Sequence, residues 1–423
     1  MNPNDKHANP QVSYRSALTA LTVLFFMWGL ITSLNDILIP HLKALFTLTY
    51  LQAMLVQFCF FMAYFVMSFP SGFLVEKVGY KGGILVGLIV AAGGCLMFYP
   101  AAGMQSYPLF LCALFVLASG IALLQVAANP FVTALGSPET ASSRLNLTQA
   151  FNSLGTTIGP ALGAFFILAV AVKTAPELQA LSPQDLAAYN LSQINAVQHP
   201  YLVLAGVLIA IAIFIALFRL PRVEDEASGE GHDALPLRSS IWKYPHLVLG
   251  ALGIFAYVGA EVSIGSLLVN VMGLPSVAGL PPEVAGHYLS IYWGCAMVGR
   301  FIGSALMQKI APSRLLAFNA LVNIALLLLA VVVQGKFAMW AMLSIGLFNS
   351  IMFPTIFSLA LAKLGKHTGE GSGVLCMAIV GGAIVPVLQG WGADHLGLML
   401  SFIIPAVCYV YIAWYGFAGS RPR

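Results

Sequence analysis

The chain has 423 residues, of which 59% are hydrophobic and only 8% are charged, with a formal net charge of +4. Soluble domains average about 25% charged residues, so this composition excludes a chain with a fully water-facing surface. Apolar runs of about 18 residues or more recur along it. They predict an all-α polytopic membrane protein and exclude a β-barrel, whose short strands would alternate in hydrophobicity.

The apolar runs predict twelve transmembrane helices. The predicted spans are 17–40, 51–75, 82–100, 107–134, 145–172, 200–219, 246–271, 286–308, 314–334, 338–363, 371–393 and 398–417. A polar stretch, residues 220–245, separates the first six spans from the last six. We therefore expect an N-terminal half (1–219) and a C-terminal half (246–423), joined by a cytoplasmic central loop.

The basic residues predict the orientation of the chain. If the N-terminus is inside, fifteen of the nineteen Lys and Arg residues fall on the inner side and three on the outer side. Cytoplasmic loops of membrane proteins carry this excess of basic residues. Both termini are therefore predicted to be cytoplasmic. The remaining basic residue is Arg300, which lies inside the eighth span.

The two halves carry signs of an internal repeat. Three pairs of like residues recur at spacings of 224 to 226 residues: Pro130 and Pro354, Asp36 and Glu261, and Pro160 and Pro386. A parallel repeat of six spans around a polar central loop resembles the architecture of major facilitator transporters. In that architecture the substrate binds near the membrane midplane, between the halves.

Asp36 lies beside Asn35 in the apolar stretch LITSLNDILIPHL, residues 30–42. Ionisable groups inside the membrane are costly, and they usually line a pathway or pair with one another. A carboxyl group that holds or releases a proton near neutral pH suits a proton-coupled carrier, so Asp36 is a candidate coupling residue. The alternative is a structural carboxylate, paired with an outer-loop base such as His41 or Lys43.

Two further ionisable residues lie inside predicted spans. Glu261 lies near mid-depth in the seventh span and Arg300 in the inner half of the eighth. Glu261 is a second candidate for proton or sodium coupling, or a substrate acceptor; the alternative is a partner for a polar residue on a neighbouring helix. Arg300 has three candidate roles: contact with the substrate, an inner gate closed against a carboxylate, and a snorkelling side chain that steadies the inner end of its helix. The gate and the snorkelling side chain are favoured.

Neutral amides and aromatic rings within the spans predict a cavity for a polar, uncharged substrate. Sugars are bound by amide hydrogen bonds to neighbouring hydroxyls and by an aromatic face under the ring. The alternative role for each amide is a hydrogen bond between helices. The candidate substrate-binding residues are Trp28, Asn35, Gln57, Gln125, Asn129, Gln149, Asn152, Tyr257, Tyr292 and Asn349.

The stretch GFLVEKVGYKGG, residues 72–83, joins the second and third spans. It approximates the major facilitator loop signature G-x-x-x-D-x-x-G-R-K, with glutamate in place of aspartate. Gly72 and Gly79 permit a tight turn and a close approach of helices. Glu76 and Lys81 carry charges that are expected to lock the inner face. We therefore assign these four residues a gating or structural role.

Longer strings carry a more specific resemblance. They are SLNDILIPHLKALFTLT, VAANPFVTALG, RLNLTQAFNSLGTTIGP, AYVGAEVSIGSLLVN, WGCAMVGRFIGS and FPTIFSLAL. Together they resemble the fucose–galactose–glucose:H⁺ symporter family of major facilitators over nearly the whole chain. The resemblance implies that Asp36 takes part in proton coupling. It also implies that Gln149 and Asn152 line the sugar cavity.

The sequence departs from that family at one position. Members that transport fucose carry a glutamate where this chain has Gln125, in the string LQVAANPF. An amide binds a hydroxyl but cannot carry a proton, which argues against fucose and against a two-carboxylate relay in the first half. The string YVGAEVSIGS resembles glucose/galactose and N-acetylglucosamine members, which strengthens the case for Glu261. The string QVAANP resembles the N-acetylglucosamine branch.

The sequence thus predicts a proton-coupled symporter that imports glucose or galactose, N-acetylglucosamine or fucose across a bacterial inner membrane by alternating access. Sodium coupling is the first alternative, and efflux of a drug or metabolite is a less favoured one. No set of nucleophile or metal ligands stands out that would indicate an enzyme. We expect no cofactor, no nucleic-acid partner and a monomer in the lipid bilayer.

Overall fold

The computed structural model describes residues 14–45, 50–166, 177, 181–218 and 240–422. The side chains of 15, 33–45, 50–57, 160–166, 190, 193, 282 and 283 lie outside the description. All regular structure in the described residues is helical. The predicted central loop falls almost entirely outside them, so the boundaries of the two halves stay a prediction.

Thirteen α-helices follow one another in the described residues. They are α1 (Tyr14–Leu45), α2 (Tyr50–Gly103), α3 (Tyr107–Ala134), α4 (Ala141–Phe166), α5 (Pro183–Leu217), α6 (Pro245–Gly273), α7 (Pro282–Leu306), α8 (Pro312–Val332), α9 (Lys336–Asn349), α10 (Met352–Leu361), α11 (Thr368–Met377), α12 (Gly381–Leu396) and α13 (Ile403–Trp414). A π-helical turn, Tyr415–Gly419, extends α13.

Nine segments of the described residues are long and apolar enough to cross a membrane. The longest, Phe58–Gly103, has 46 residues, about twice the length that a hydrocarbon core of about 30 Å requires. Gly79 interrupts it with φ 73° and ψ 169°, so α2 holds the second and third predicted spans. The helices α1 and α4, with 32 and 26 residues, also exceed the roughly 20 needed.

The surface of the bundle carries large apolar side chains. Val332 and Leu217 are each 80% exposed, and Phe337 is 79% exposed. A soluble protein would bury most such side chains, whereas lipid tails solvate them. The exposed apolar residues therefore agree with a helix bundle that lies in a membrane.

Two close helix crossings give the predicted repeat a structural counterpart. A Cβ atom added to Gly155 on α4 would overlap the carbonyl oxygen of Phe26 on α1. One added to Gly381, at the start of α12, would overlap the carbonyl oxygen of Phe255 on α6. Small residues allow helix backbones in membranes to approach this closely. In each predicted half, the first and fifth spans therefore cross each other closely at a glycine of the fifth span.

We expect Gly155→Ala to lower the unfolding temperature of the detergent-purified protein, because the added methyl group forces α1 and α4 apart. Overpacking of this kind costs about 1–3 kcal/mol. Gly206→Ala on α5 is the matched control, since nothing lies within 4 Å of its added Cβ. The control is expected to be neutral or slightly stabilising, because alanine favours a helix over glycine. Equal unfolding temperatures for the two variants would contradict the close crossing.

Candidate functional site

Gln125 and Asn129 are buried one turn apart on α3. The Nε2 atom of Gln125 donates to the hydroxyl of Tyr64 on α2, at 2.7 Å. The Oδ1 atom of Asn129 accepts from Nε2 of Gln149 on α4, at 3.4 Å. Within the described part of the chain, Gln125 Oε1 and Asn129 Nδ2 have no hydrogen-bond partner. Each amide is therefore anchored at one end and offers an acceptor or a donor at the other.

Asn152, which shares a face of α4 with Gln149, has a different environment. Its Nδ2 atom donates to the carbonyl of Phe25 on α1, at 2.9 Å. Trp28, one turn along α1, is 7% exposed, and its ring lies 5.2 Å from that of Phe25, centroid to centroid. The Asn152 amide thus makes a hydrogen bond between two helices. This is the alternative to substrate binding that the sequence analysis gave for each amide.

Three predicted site residues cannot be placed beyond their helix. Asn35 and Asp36 lie on α1 and Gln57 lies on α2, and their side chains are outside the described residues. The coupling role of Asp36 and the binding roles of Asn35 and Gln57 therefore stay predictions.

Asn349, at the end of α9, is the centre of a buried hydrogen-bond cluster. Its Oδ1 atom accepts from Asn323 Nδ2 on α8 at 2.8 Å and from the Tyr409 hydroxyl on α13 at 2.6 Å. Its Nδ2 atom donates to the Tyr292 hydroxyl on α7 at 2.8 Å. Both ends of this amide are engaged, so Asn349 joins four helices and holds the Tyr292 hydroxyl in place.

Glu261 lies close to this cluster. One of its carboxylate oxygens accepts from the hydroxyl of Tyr257, one turn earlier on α6, at 2.7 Å. Arg300 and Tyr292, both on α7, are near enough to interact with it electrostatically. The ion pair found within the described residues, His367–Glu370 at 3.2 Å, does not involve it. The direct partner of Glu261 is thus a neutral hydroxyl, with a positive charge further away.

Arg300 connects α7 with α4. Its Nε atom donates to the carbonyl of Ser350, between α9 and α10, at 2.9 Å. Its Nη1 atom donates to the Gln149 carbonyl at 3.3 Å and to the Ser153 hydroxyl, both on α4. The guanidinium therefore bridges the two predicted halves through neutral acceptors. The contacts shown are to neutral acceptors and not to a carboxylate, so the gating role of Arg300 stays a prediction.

Serine side chains join the same helices nearer the predicted inner side. The Ser143 hydroxyl donates to the Ser304 carbonyl at 2.7 Å, and the Ser304 hydroxyl donates to the Ser143 carbonyl at 2.8 Å. The hydroxyls of Ser142 on α4 and Ser358 on α10 lie 2.7 Å apart. We call these four residues the serine gate. They hold α4 against α7 and α10 without any charge.

The loop signature contributes a further contact across the predicted halves. Glu76 Oε1 accepts from the backbone N–H of Glu370 on α11, at 3.1 Å. A Cβ atom on Gly72 would lie 2.8 Å from the carbonyl oxygen of Gly369, so α2 and α11 approach through glycines. Gly79 supplies the positive φ of the turn.

Lys81, the other charge of that signature, lies within the N-terminal group of helices. Its ammonium group donates to the carbonyls of Ala216 and Phe218 at 2.8 and 3.0 Å, at the end of α5. A basic side chain there satisfies the last carbonyls of the helix and interacts favourably with its dipole. The contacts described for Lys81 thus cap α5.

The model of the family described as "Major Facilitator Superfamily" matches residues 20–384. The chain belongs to the Major Facilitator Superfamily. This membership confirms the predicted fold class, whose two groups of six spans imply the twelve helices, and identifies a multi-pass membrane transporter rather than an enzyme.

Individual major facilitators are similar to the chain over nearly its full length. The glucose/galactose transporter of Brucella abortus is 56% identical over 420 residues, covering 99% of this chain and 98% of that protein. The L-fucose-proton symporter of Escherichia coli is 37% identical over 413 residues, covering 96% and 94%. The resemblance read from the sequence strings is thereby confirmed.

A solved major facilitator structure matches the fold. It is that of FucP in the outward conformation, with a TM-score of 0.86 and 35% identity, covering 96% of this chain and 99% of that one. FucP is the fucose:proton symporter of Escherichia coli. The serine gate, Arg300 and Glu76 all join the two groups of helices toward one end. By the orientation predicted from the basic residues, these contacts lie on the inner side of the membrane.

Several residues of this site carry no signal in the sequence that would single them out. Tyr409 holds the amide of Asn349. The serine gate looks like ordinary small residues in helices. The spacing of residues along a helix shows which of them share a face of that helix. It does not show which residues of other helices they contact.

Proposed function

We propose that this protein is a proton-coupled symporter that imports a neutral hexose by alternating access. The pair Gln125 and Asn129 carries the proposal. Its Oε1 acceptor and Nδ2 donor are buried, unpartnered among the described residues and one turn apart, about 6 Å along α3. Buried polar groups normally find a partner, and neighbouring sugar hydroxyls supply both a donor and an acceptor.

The relatives support the substrate class and the coupling ion. The relative that is 56% identical is named as a glucose/galactose transporter, which favours these hexoses over N-acetylglucosamine and fucose. Gln125, in place of the family glutamate, agrees with this choice. The Escherichia coli relative is named as a proton symporter, which supports protons over sodium. The hydrogen-bonding groups described in the site suit a polar sugar better than an apolar drug.

The proposal includes the orientation of the protein and its transport cycle. Both termini face the cytoplasm of a bacterium, and the protein acts as a monomer in the inner membrane. Asp36 is protonated in the outward-facing state, and sugar then binds between the halves. The serine gate opens as the loaded carrier turns inward, and sugar and proton leave. Asn35, Gln57, Trp28, Gln149 and Asn152 line or support the proposed sugar site from the N-terminal half.

A counterflow experiment tests the substrate. Liposomes containing the protein are loaded with an unlabelled sugar, and a trace of labelled galactose or glucose is added outside. We expect transient accumulation of label with these two hexoses inside, and weaker accumulation with N-acetylglucosamine or fucose. No counterflow with any hexose or amino sugar would contradict the proposal.

We expect Asn129→Leu to raise the KM for sugar exchange by tenfold or more. Leucine fills a similar volume but removes the buried donor, and an unmet hydrogen bond of this kind costs about 1–3 kcal/mol. Asn319→Leu is the matched control, because that buried amide donates to the Phe348 carbonyl at 3.0 Å on the C-terminal side. The control should lose stability with little change in KM. An unchanged KM for Asn129→Leu would argue against its place in the sugar site.

A further inference from the structure

Pro130 lies inside α3 and changes the hydrogen bonding of that helix. A proline has no backbone N–H, so the carbonyl of the residue four positions earlier loses its helical donor. In α3 that residue is Val126, which is fully buried. A carbonyl in a dry environment is unfavourable without a donor, and in membrane proteins a neighbouring helix commonly supplies one.

The donor to Val126 comes from the other predicted half. Ser372 on α11 is fully buried, and its hydroxyl donates to the Val126 carbonyl at 2.9 Å. A serine inside a helix often donates to its own helix instead, as Ser119 does to the Phe115 carbonyl at 2.7 Å. The hydroxyl of Ser372 therefore joins α11, in the C-terminal half, to α3, in the N-terminal half.

The C-terminal half repeats this relation at the corresponding proline of the predicted repeat. Pro354 on α10 leaves the carbonyl of Ser350 without its helical donor, and the Nε atom of Arg300 donates to that carbonyl at 2.9 Å. In both halves a side chain of another helix replaces the missing N–H. The replacement for Pro354 comes from α7 in the same half, whereas the replacement for Pro130 crosses between the halves.

We propose that Ser372 is a positioning residue that holds the inner side closed through the carbonyl that Pro130 frees. By the predicted orientation, α3 ends and α11 begins at the inner side, and Val126 and Ser372 lie toward those ends. When the inner side opens, α3 and α11 separate there, and water replaces each partner. Because Val126 directly follows Gln125, this contact lies on the same turn of α3 as a proposed sugar-binding amide.

Loss of the Ser372 hydroxyl should favour the open-inner state. In Ser372→Ala, the Val126 carbonyl lacks a donor while the inner side is closed, but water reaches it once that side opens. An acceptor left unmet in one state alone shifts the equilibrium away from that state. We expect the open-inner fraction to rise about fivefold or more.

The open-inner fraction is measured by thiol labelling in Ser304→Cys, which is the parent of every variant compared. Ser304 is buried in the closed serine gate, so the rate at which a water-soluble maleimide labels the new thiol reports opening. Mass spectrometry follows the labelling at each cysteine separately, because the six native cysteines are also free. Cys95, which is fully buried, reports global unfolding in the same digest, and its labelling should not change.

Ser119→Ala is the matched control for the lost hydroxyl. Ser119 is also buried, but its hydrogen bond stays within α3, so labelling at position 304 should match that of the parent. The control shares the chemical change of Ser372→Ala and differs from it in the helix that accepts the hydrogen bond.

Pro130→Ala tests whether Ser372 acts through the freed carbonyl. Alanine restores the N–H, so the Val126 carbonyl has a donor whether the inner side is closed or open. Adding Ser372→Ala should then raise the labelling rate at least about twofold less than it does in the parent. Pro200→Ala removes a proline inside α5 and should leave the effect of Ser372→Ala undiminished.

Two results would overturn the proposal. One is an equal labelling rate for Ser372→Ala and its parent. The other is an effect of Ser372→Ala that Pro130→Ala does not reduce, since Ser372 would then act without the Val126 carbonyl. The inference rests on the proposed alternating access, but labelling needs no sugar, whereas counterflow by the wild type tests sugar transport separately.

Discussion

Substituting Asp36 by asparagine should abolish uphill sugar accumulation while exchange of sugar for sugar continues. Asparagine keeps the shape and the hydrogen-bonding capacity of the side chain, but it cannot bind and release a proton. With one proton per sugar and an interior one pH unit more alkaline than the medium, the wild type should accumulate sugar about tenfold. The variant should reach only equal concentrations on the two sides.

The measurement for Asp36 compares two assays in the same proteoliposomes: accumulation of labelled sugar under a pH gradient, and counterflow without one. Asp36→Glu is the matched control, since it retains a titratable carboxyl group and should retain part of the accumulation. Uphill accumulation by Asp36→Asn would show that the coupling proton binds elsewhere, and Glu261 would be the next candidate.

Cross-linking the serine gate should inactivate the carrier reversibly. In the pair Ser143→Cys/Ser304→Cys, the two sulfur atoms take the places of hydroxyl oxygens that lie 3.3 Å apart. Disulfide formation then needs only a small adjustment to an S–S distance of about 2.05 Å. A covalent bond between α4 and α7 prevents the inner side from opening. We expect oxidation to reduce counterflow at least about tenfold, and a reductant to restore it.

Single-cysteine variants at either position are the controls for this experiment, because they keep the mutations without the bond. They should transport sugar before and after oxidation. The six native cysteines are free thiols, so their response to oxidant is measured in the same controls. A cross-linked double variant that transports sugar at the wild-type rate would mean that α4 and α7 do not separate during the cycle.

The sequence predicted the fold of this protein well, because membrane spans are strongly marked. Twenty apolar residues in a row have few alternatives in a bilayer, and the break at Gly79 falls in the stretch predicted to link two spans. Gly155 and Gly381 each precede a proline of the predicted repeat, Pro160 and Pro386, by five residues. The structure gives their physical reason, which is a backbone contact with the first helix of each predicted half.

The site was harder to predict from the sequence than the fold. A polar residue in an apolar span indicates that a partner exists, but hydrophobic periodicity does not say on which helix the partner lies. Asn152 and Asn349 are both predicted to bind substrate. In the structure, Asn152 donates to the backbone carbonyl of Phe25, and Asn349 makes hydrogen bonds to three side chains. Lys81, predicted to lock the inner face, caps α5. Such assignments depend on tertiary contacts.

The most direct test is to record the external pH of proteoliposomes in sodium-free buffer while glucose or galactose is added. A proton that enters with each sugar should make the medium more alkaline, and Asp36→Asn should show no such change. Alkalinisation by one hexose would establish both the substrate and the coupling ion. An unchanged external pH without sodium, followed by sugar uptake once sodium is supplied, would contradict proton-coupled import.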